Sequence, residues 1–250
     1  MGFAMVAGGK PDMAAPVADS AGMLAVGTSV FLCEVKSNQT YAEYIVVNQG
    51  IPSNSSLYDA SCDGTWLLRK DCYERNLVWN ASNVNDYGGS YIHTILSDLV
   101  RHYGDAELAA IKTVKIPYRP GGGTSLTVNS GANGLTATLF LPSAIELGSV
   151  HHEGASANYY PVDGAKLEYF ESGETSSANS KRIAKMNGSA VWWRTRSPRC
   201  DASDRIQAVA STGQLSGVTD PSDKGPVRFA LVISKNAKFD LETMRLVEVS

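Results

Sequence analysis

The sequence predicts an α+β domain with two helices, short antiparallel strands and long loops. Three observations point there. Runs of β-branched and aromatic residues are short and end at turn residues. Apolar residues recur at helical spacing in one clear stretch. The 250 residues include 23 glycines among many Ser, Asn and Thr, a composition of turns rather than of a helical bundle.

Residues 1–25 are rich in Ala, Gly, Met and Pro and show no regular apolar pattern, which predicts an N-terminal arm or anchor. Residues 26–250 then form a single domain. TSVFLCEV at 28–35 and YAEYIVVN at 41–48, joined by a polar tract, predict a β-hairpin, and GTWLLR at 64–69 a further short strand. SNVND at 82–86 offers N-cap chemistry; Asn83, Asn85 and Asp86 read as caps rather than as cation ligands. In the stretch that follows, Tyr91, Ile92, Ile95, Leu96, Leu99 and Val100 recur at three and four, an amphipathic helix ending near Gly104. Asp105 can cap a second short helix, DAELAAIK, followed by a strand in TVKIPY. Residues 120–134 read as a flexible, turn-rich insert, and 148–165 and 171–180 as loops. LTATLFLPS, AVWWRTRSP, QAVAST, GPVRFALVIS and MRLVEVS read as strands.

The composition excludes several function classes. A net charge of −3 argues against a broad nucleic-acid footprint, which needs a basic face. No run approaches the roughly 20 apolar residues that span a bilayer. The N-terminus lacks a basic segment followed by an apolar run, so synthesis in a cytosol without a secretory signal is expected. Cys33, Cys62, Cys72 and Cys200 include no CxxC pair; Cys62 and Cys72 either bridge or stay as separate buried thiols.

Enzyme templates are missing, and neither catalytic residues nor a cofactor or metal is expected. His151, His152 and Glu153 are adjacent on an extended chain, so the two imidazoles point apart. No H-E-x-x-H helix occurs, no G-x-S-x-G follows a strand, and GGGT at 121–124 lacks the Lys-Ser/Thr of a phosphate loop.

Four blocks carry a family resemblance: GTWLLRKDCYERNLVWNASNVNDYGGSYIHTIL, IKTVKIPYRPGGGTSLTVNSGANGL, FLPSAIELG, and AVWWRTRSP with GPVRFALVIS. Together they resemble the DUF6273 family of bacterial and phage proteins of uncharacterised function, frequent in phage tail regions. The last block is similar to the end of C-type-lectin-like domains of the formylglycine-generating-enzyme type, used by variable proteins of diversity-generating retroelements. Pro226 and Phe229 depart from the commoner Gly-Val-Arg-Pro-Ala-Leu pattern there. The resemblance implies a C-type-lectin-like fold whose strands stay fixed while loops within 192–224 bind ligand. The cysteine-pair chemistry of the formylglycine-generating enzymes does not carry over, because Cys200 has no evident partner.

Trp192 and Trp193 alternate across a strand, so one is expected to face outward, and Arg beside Trp is enriched at binding hot spots. The polar stretch after Arg199 can vary without touching a core. The candidate ligand-binding residues are Trp193, Arg194, Arg196, Arg199, Asp201, Ser203, Asp204, Gln207, Ser211, Thr212, Gln214, Ser216 and Asp220. The expected function is that of a phage tail or tail-fibre adhesin, resident in the virion. It would bind a host-surface protein or glycan and would be a homo-oligomer, a trimer among the options, joined to other virion proteins through the arm. A structural virion component and a formylglycine-generating-type enzyme are the alternatives.

Overall fold

A computed structural model describes residues 18–53, 55–215 and 217–247, so most of the expected arm and Ser216 lie outside the described residues. The architecture is mixed, with mostly short antiparallel strands and three α-helices among the described residues.

The centre is a five-stranded antiparallel sheet in the order Ser29–Val35, Thr40–Gln49, Thr65–Arg69, Ala230–Ile233, Leu139–Phe140. The expected hairpin forms its edge, with Val30 opposite Tyr44 and Leu32 opposite Ala42. Leu231 lies opposite both Leu67 and Leu139, in the middle of the core. Trp66 fixes the packing there, meeting Tyr58 and Phe140 edge-on, each with ring centroids 5.6 Å apart.

GPVRFALVIS does not run as one strand. Lys224–Val227 pairs with Tyr73–Val78, whereas Ala230–Ile233 enters the central sheet. Arg228 and Phe229 are buried at the crossing. Arg228 lies over the Trp193 ring at 5.0 Å and donates to the carbonyls of Arg69 and Arg182 at 2.8 and 3.1 Å. A third sheet carries Trp193–Pro198, Ile206–Val209 and Gly217–Thr219.

Residues 18–25 belong to the domain rather than to an arm. Ala18–Ser20 pairs with Lys238–Asp240, which in turn pairs with Leu246–Val247. Ala21 and Leu24 are buried.

The first helix, Tyr91–Leu99, buries Ile92 and Leu96 as its apolar spacing requires. Its cap is Ser90, whose hydroxyl accepts from the His93 amide at 3.2 Å, and not the expected 83–86 residues. The second helix is Asp105–Ala110, with Gly104 in the N-cap position. A third, Ser176–Arg182, stands where a loop was expected, capped by Thr175.

The polar heart of the molecule is the ion pair between Arg196 and Glu146, both side chains wholly buried. The guanidinium donates to both carboxylate oxygens, at 2.6 and 2.7 Å. It also donates to the carbonyls of Pro117, Leu141 and Asp163 at 3.1, 2.9 and 3.1 Å. Glu146 accepts further from the Tyr58 hydroxyl at 2.9 Å and the Ser143 amide at 2.8 Å. Every polar atom of the pair is therefore partnered, the condition under which a buried charge is tolerated. Beside it, the Ser197 hydroxyl donates to the Asp163 carboxylate, 2.8 Å from Oδ2. Burial pushes the Asp163 carboxyl up to about 6, against the opposing pull of Arg196 and Ser197.

Two outcomes follow from this network. Arg196→Met strands a buried carboxylate and should lower the unfolding free energy in urea by about 3–5 kcal/mol; a loss under about 1 kcal/mol would show the pair to be dispensable. Asp163 has a folded pKa above its unfolded 3.8, so its contribution to stability is full below that value and is lost as pH rises to about 6. That loss is on the order of 3 kcal/mol. Asp163→Asn should flatten the stability profile between those pH values in denaturant titrations.

Candidate functional site

The candidate residues separate into three groups. Trp193, Arg194, Arg196 and Gln207 lie inside the protein, each at most 1% exposed. The strand Trp193–Pro198 is buried on both faces, so its alternation presents no side to solvent. Trp193 donates its indole N–H to the Arg182 carbonyl at 3.0 Å, and Gln207 Nε2 donates to the Leu215 carbonyl at 2.7 Å. Arg194 lies 5.1 Å from the half-buried Trp192 ring and donates to the carbonyls of Leu77 and Asp223. These four residues hold the framework together and present no contact surface, which corrects their place among the ligand-binding candidates.

The second group gathers at one end of the small sheet, where Ile206 pairs with Thr219: Arg199, Asp201, Ser203, Asp204 and Asp220. Arg205 ties Asp204 and Asp220 together there. The third group, Ser211, Thr212 and Gln214, is exposed in the turn at the opposite end. The strand Ile206–Val209 separates the two ends by about 13 Å.

Both ends are clamped from beneath by side chains that donate to backbone carbonyls. At the first, buried Asn85 places Nδ2 at 3.0, 2.8 and 2.8 Å from the carbonyls of Arg199, Ala202 and Arg205. Its Oδ1 accepts from the Gly122 amide at 2.9 Å. Gly121 packs so closely that a Cβ there would sit 2.2 Å from the Asn85 carbonyl carbon. Buried Arg119 donates to the carbonyls of Ser125 and Gly123. The glycine-rich stretch expected to be a flexible insert is thus pinned at its start by Asn85 and Arg119. At the other end Arg182, also buried, donates to the carbonyls of Leu147, Gly213 and Glu171 at 2.8, 3.3 and 3.0 Å.

The loop following Ser149 links the two ends and supplies residues that sequence reasoning missed. Its Tyr159 carbonyl accepts from the Cys200 amide at 2.8 Å. Tyr159 is 42% exposed and Tyr160 is half-buried. The Arg199 guanidinium lies 5.6 Å from the Tyr159 ring and 5.8 Å from the Tyr160 ring. It also forks onto Asp201, with Nε 2.7 Å from Oδ1. On the far side of Tyr160 the His151 ring sits at 5.8 Å, and its Nε2 lies 3.4 Å from Glu174. The result is a continuous surface strip from Glu174 to Asp201. The hydrogen bond from Arg199 holds the Asp201 carboxyl below the usual carboxylate range, so the pair is charged on both sides and neutral in sum. For the tyrosines of this strip the sequence signal is the Tyr-Tyr pair itself, in an otherwise Gly-, Ser- and Asn-rich loop.

All four cysteines are free and buried. Burial pushes the Cys200 thiol up, and those of Cys62 and Cys72 up to about 12, so neutral pH holds them as thiols. Among the described residues no group of three or more His, Cys, Asp or Glu side chains is placed to hold a metal. A groove of about 480 Å³ lies elsewhere, lined by Ala106, Ala109, Ala110, Lys238 and Leu246 among others.

Asn85→Ala should release the 199–205 loop. The Gly122 amide loses its acceptor, so its hydrogen exchange should accelerate by at least tenfold, while amides of the central sheet such as Leu67 keep their protection. Unchanged exchange at Gly122 would show that Asn85 is not the clamp.

No curated protein and no solved structure matches this chain. The family described as Domain of unknown function (DUF6273) matches residues 63–235, a span that takes in the Arg196–Glu146 pair, both clamps and the whole strip. By that match, over more than half its length, the chain belongs to the DUF6273 family.

Proposed function

We propose that this protein is a phage tail or tail-fibre adhesin that binds a host-surface receptor, a protein or a glycan, through the loops around Arg199. The observation that carries the reading is the Tyr159–Tyr160–Arg199–Asp201 strip, a partly exposed surface cluster that brings together Tyr and Arg, residue types that dominate recognition hot spots, on loops clamped from below. Pre-ordered loops lose less entropy on binding, which suits a receptor-binding surface. A C-type-lectin-like arrangement fits the same reading: WWRTRSP and VRFALV supply fixed framework, and the variable-looking residues lie between them. The similarity of the sequence blocks to proteins of phage tail regions supports the virion setting, with the N-terminal segment joining other virion proteins in a homo-oligomer.

A structural virion component is the second reading. It is favoured by the strand Leu246–Val247, which stands at the edge of its sheet beside the alanine-lined groove and so offers a neighbouring subunit a place to pair.

Retention of the labelled full chain on a panel of intact bacterial cells tests the first reading. The triple variant Arg199→Ala, Asp201→Ala, Ser203→Ala should lose at least about tenfold in retention with a nearly unchanged thermal midpoint. Retention equal to that of the parent chain would move the site elsewhere. Failure of every cell type to retain the parent, with electron microscopy of particles placing these loops against neighbouring subunits, would establish the structural reading instead.

A further inference from the structure

The strip has a chemical character that narrows its ligand. Each guanidinium along it already has a carboxylate: Arg199 has Asp201, and Arg205 has Asp220 and Asp204. Of the other acids, Glu174 accepts the Leu215 amide at 3.0 Å and faces His151, and Glu153 lies beside His152. An anionic ligand would have to displace Asp201, and a cationic one Arg199, so neither gains from the local field. What the strip does offer is alternating donor and acceptor atoms beside an aromatic face. Arg199 Nη1 makes no hydrogen bond to any described residue, and the Asp201 oxygens carry further lone pairs. Tyr159, at 42% exposure, leaves part of its ring uncovered next to them.

We propose that Tyr159, Tyr160, Arg199 and Asp201 form a binding site for the neutral pyranose end of a glycan, an inference that rests on the recognition reading above. The apolar C–H face of the sugar ring lies on Tyr159. One of two vicinal hydroxyls accepts from Arg199 Nη1 and the other donates to Asp201. The polar side chains nearby, Ser203 foremost, supply contacts to a second sugar unit. No metal ion takes part.

The test uses the full chain with methyl glucoside, methyl galactoside, methyl mannoside and N-acetylglucosamine as neutral probes, and sialyllactose as the charged one. Saturation-transfer NMR and calorimetric titration read the binding. At least one neutral sugar should bind in preference to sialyllactose and should compete with cell retention. Tyr159→Ala should weaken it about tenfold and Tyr159→Phe should restore it. Asp201→Asn leaves Arg199 uncompensated, so it should lose the neutral sugar and gain sialyllactose, a reversal that a merely structural role would not produce. Parent binding that favours sialyllactose, or neutral-sugar binding indifferent to Tyr159→Ala and Asp201→Asn, overturns the proposal. Strip-dependent retention on cells without any binding or competition by neutral sugars also overturns it, but leaves the adhesin reading standing with a protein as receptor. Absence of both sugar binding and cell retention ends both.

Discussion

The fold is organised around one buried charge pair. Arg196 reaches from the small three-stranded sheet and joins Pro117, the stretch holding Leu141 and Glu146, and Asp163, which belong to three separate stretches of chain. A guanidinium has five donors in a rigid fork, and all of the acceptors it finds here are fixed in the interior. The loop 143–148, the 160s segment and the end of the central sheet are positioned by the geometry of a single side chain. Such a site is intolerant by construction. The desolvation of two charges is offset only while each lone pair and each N–H is matched.

How far this was legible in the sequence depended on how local the signal was. The hairpin Ser29–Val35 with Thr40–Gln49 and the helix Tyr91–Leu99 carry their own periodicity, and both stand where the sequence predicts them. The helix Ser176–Arg182 has no such signal: SSANSKR is polar, and it is held by the Thr175 cap and by Arg182 reaching into the interior. GPVRFALVIS reads as one strand because nothing local distinguishes Arg228, yet cation–π stacking on Trp193 turns that arginine into the corner between two sheets. The same blind spot governed the site. Arg194 and Arg196 look like surface residues on an alternating strand, and only tertiary cover on both faces buries them. Arg199 and Asp201 were readable as a polar loop, whereas Tyr159 and Tyr160 join them through a contact distant in sequence, for which no periodicity exists.

The protein thus separates two tasks that lie close together in its sequence. Tryptophans and buried arginines of 192–198 and 228 make framework, and the residues just beyond Pro198 make surface. The change happens within one residue, from buried Pro198 to half-exposed Arg199, because the strand ends there and Asn85 takes hold of the chain. The surface is charged but compensated, so a molecule placed on it would meet directed donors and acceptors more than a long-range field.

The clamps themselves have a consequence for how such a surface can change through time. Asn85, Arg119, Arg182 and Arg194 hold the loops by their carbonyl oxygens, Arg194 through that of Asp223, and every amino acid has a carbonyl oxygen. The grip is therefore blind to which residue occupies a position such as 202, whereas Arg205 also holds Asp204 and Asp220 through its guanidinium. Substitutions at such a position alter what the surface presents without loosening what keeps it in place, so the outer face can vary at small cost to folding, and a laboratory library can be concentrated on residues held only by their carbonyls while the four gripping side chains stay constant.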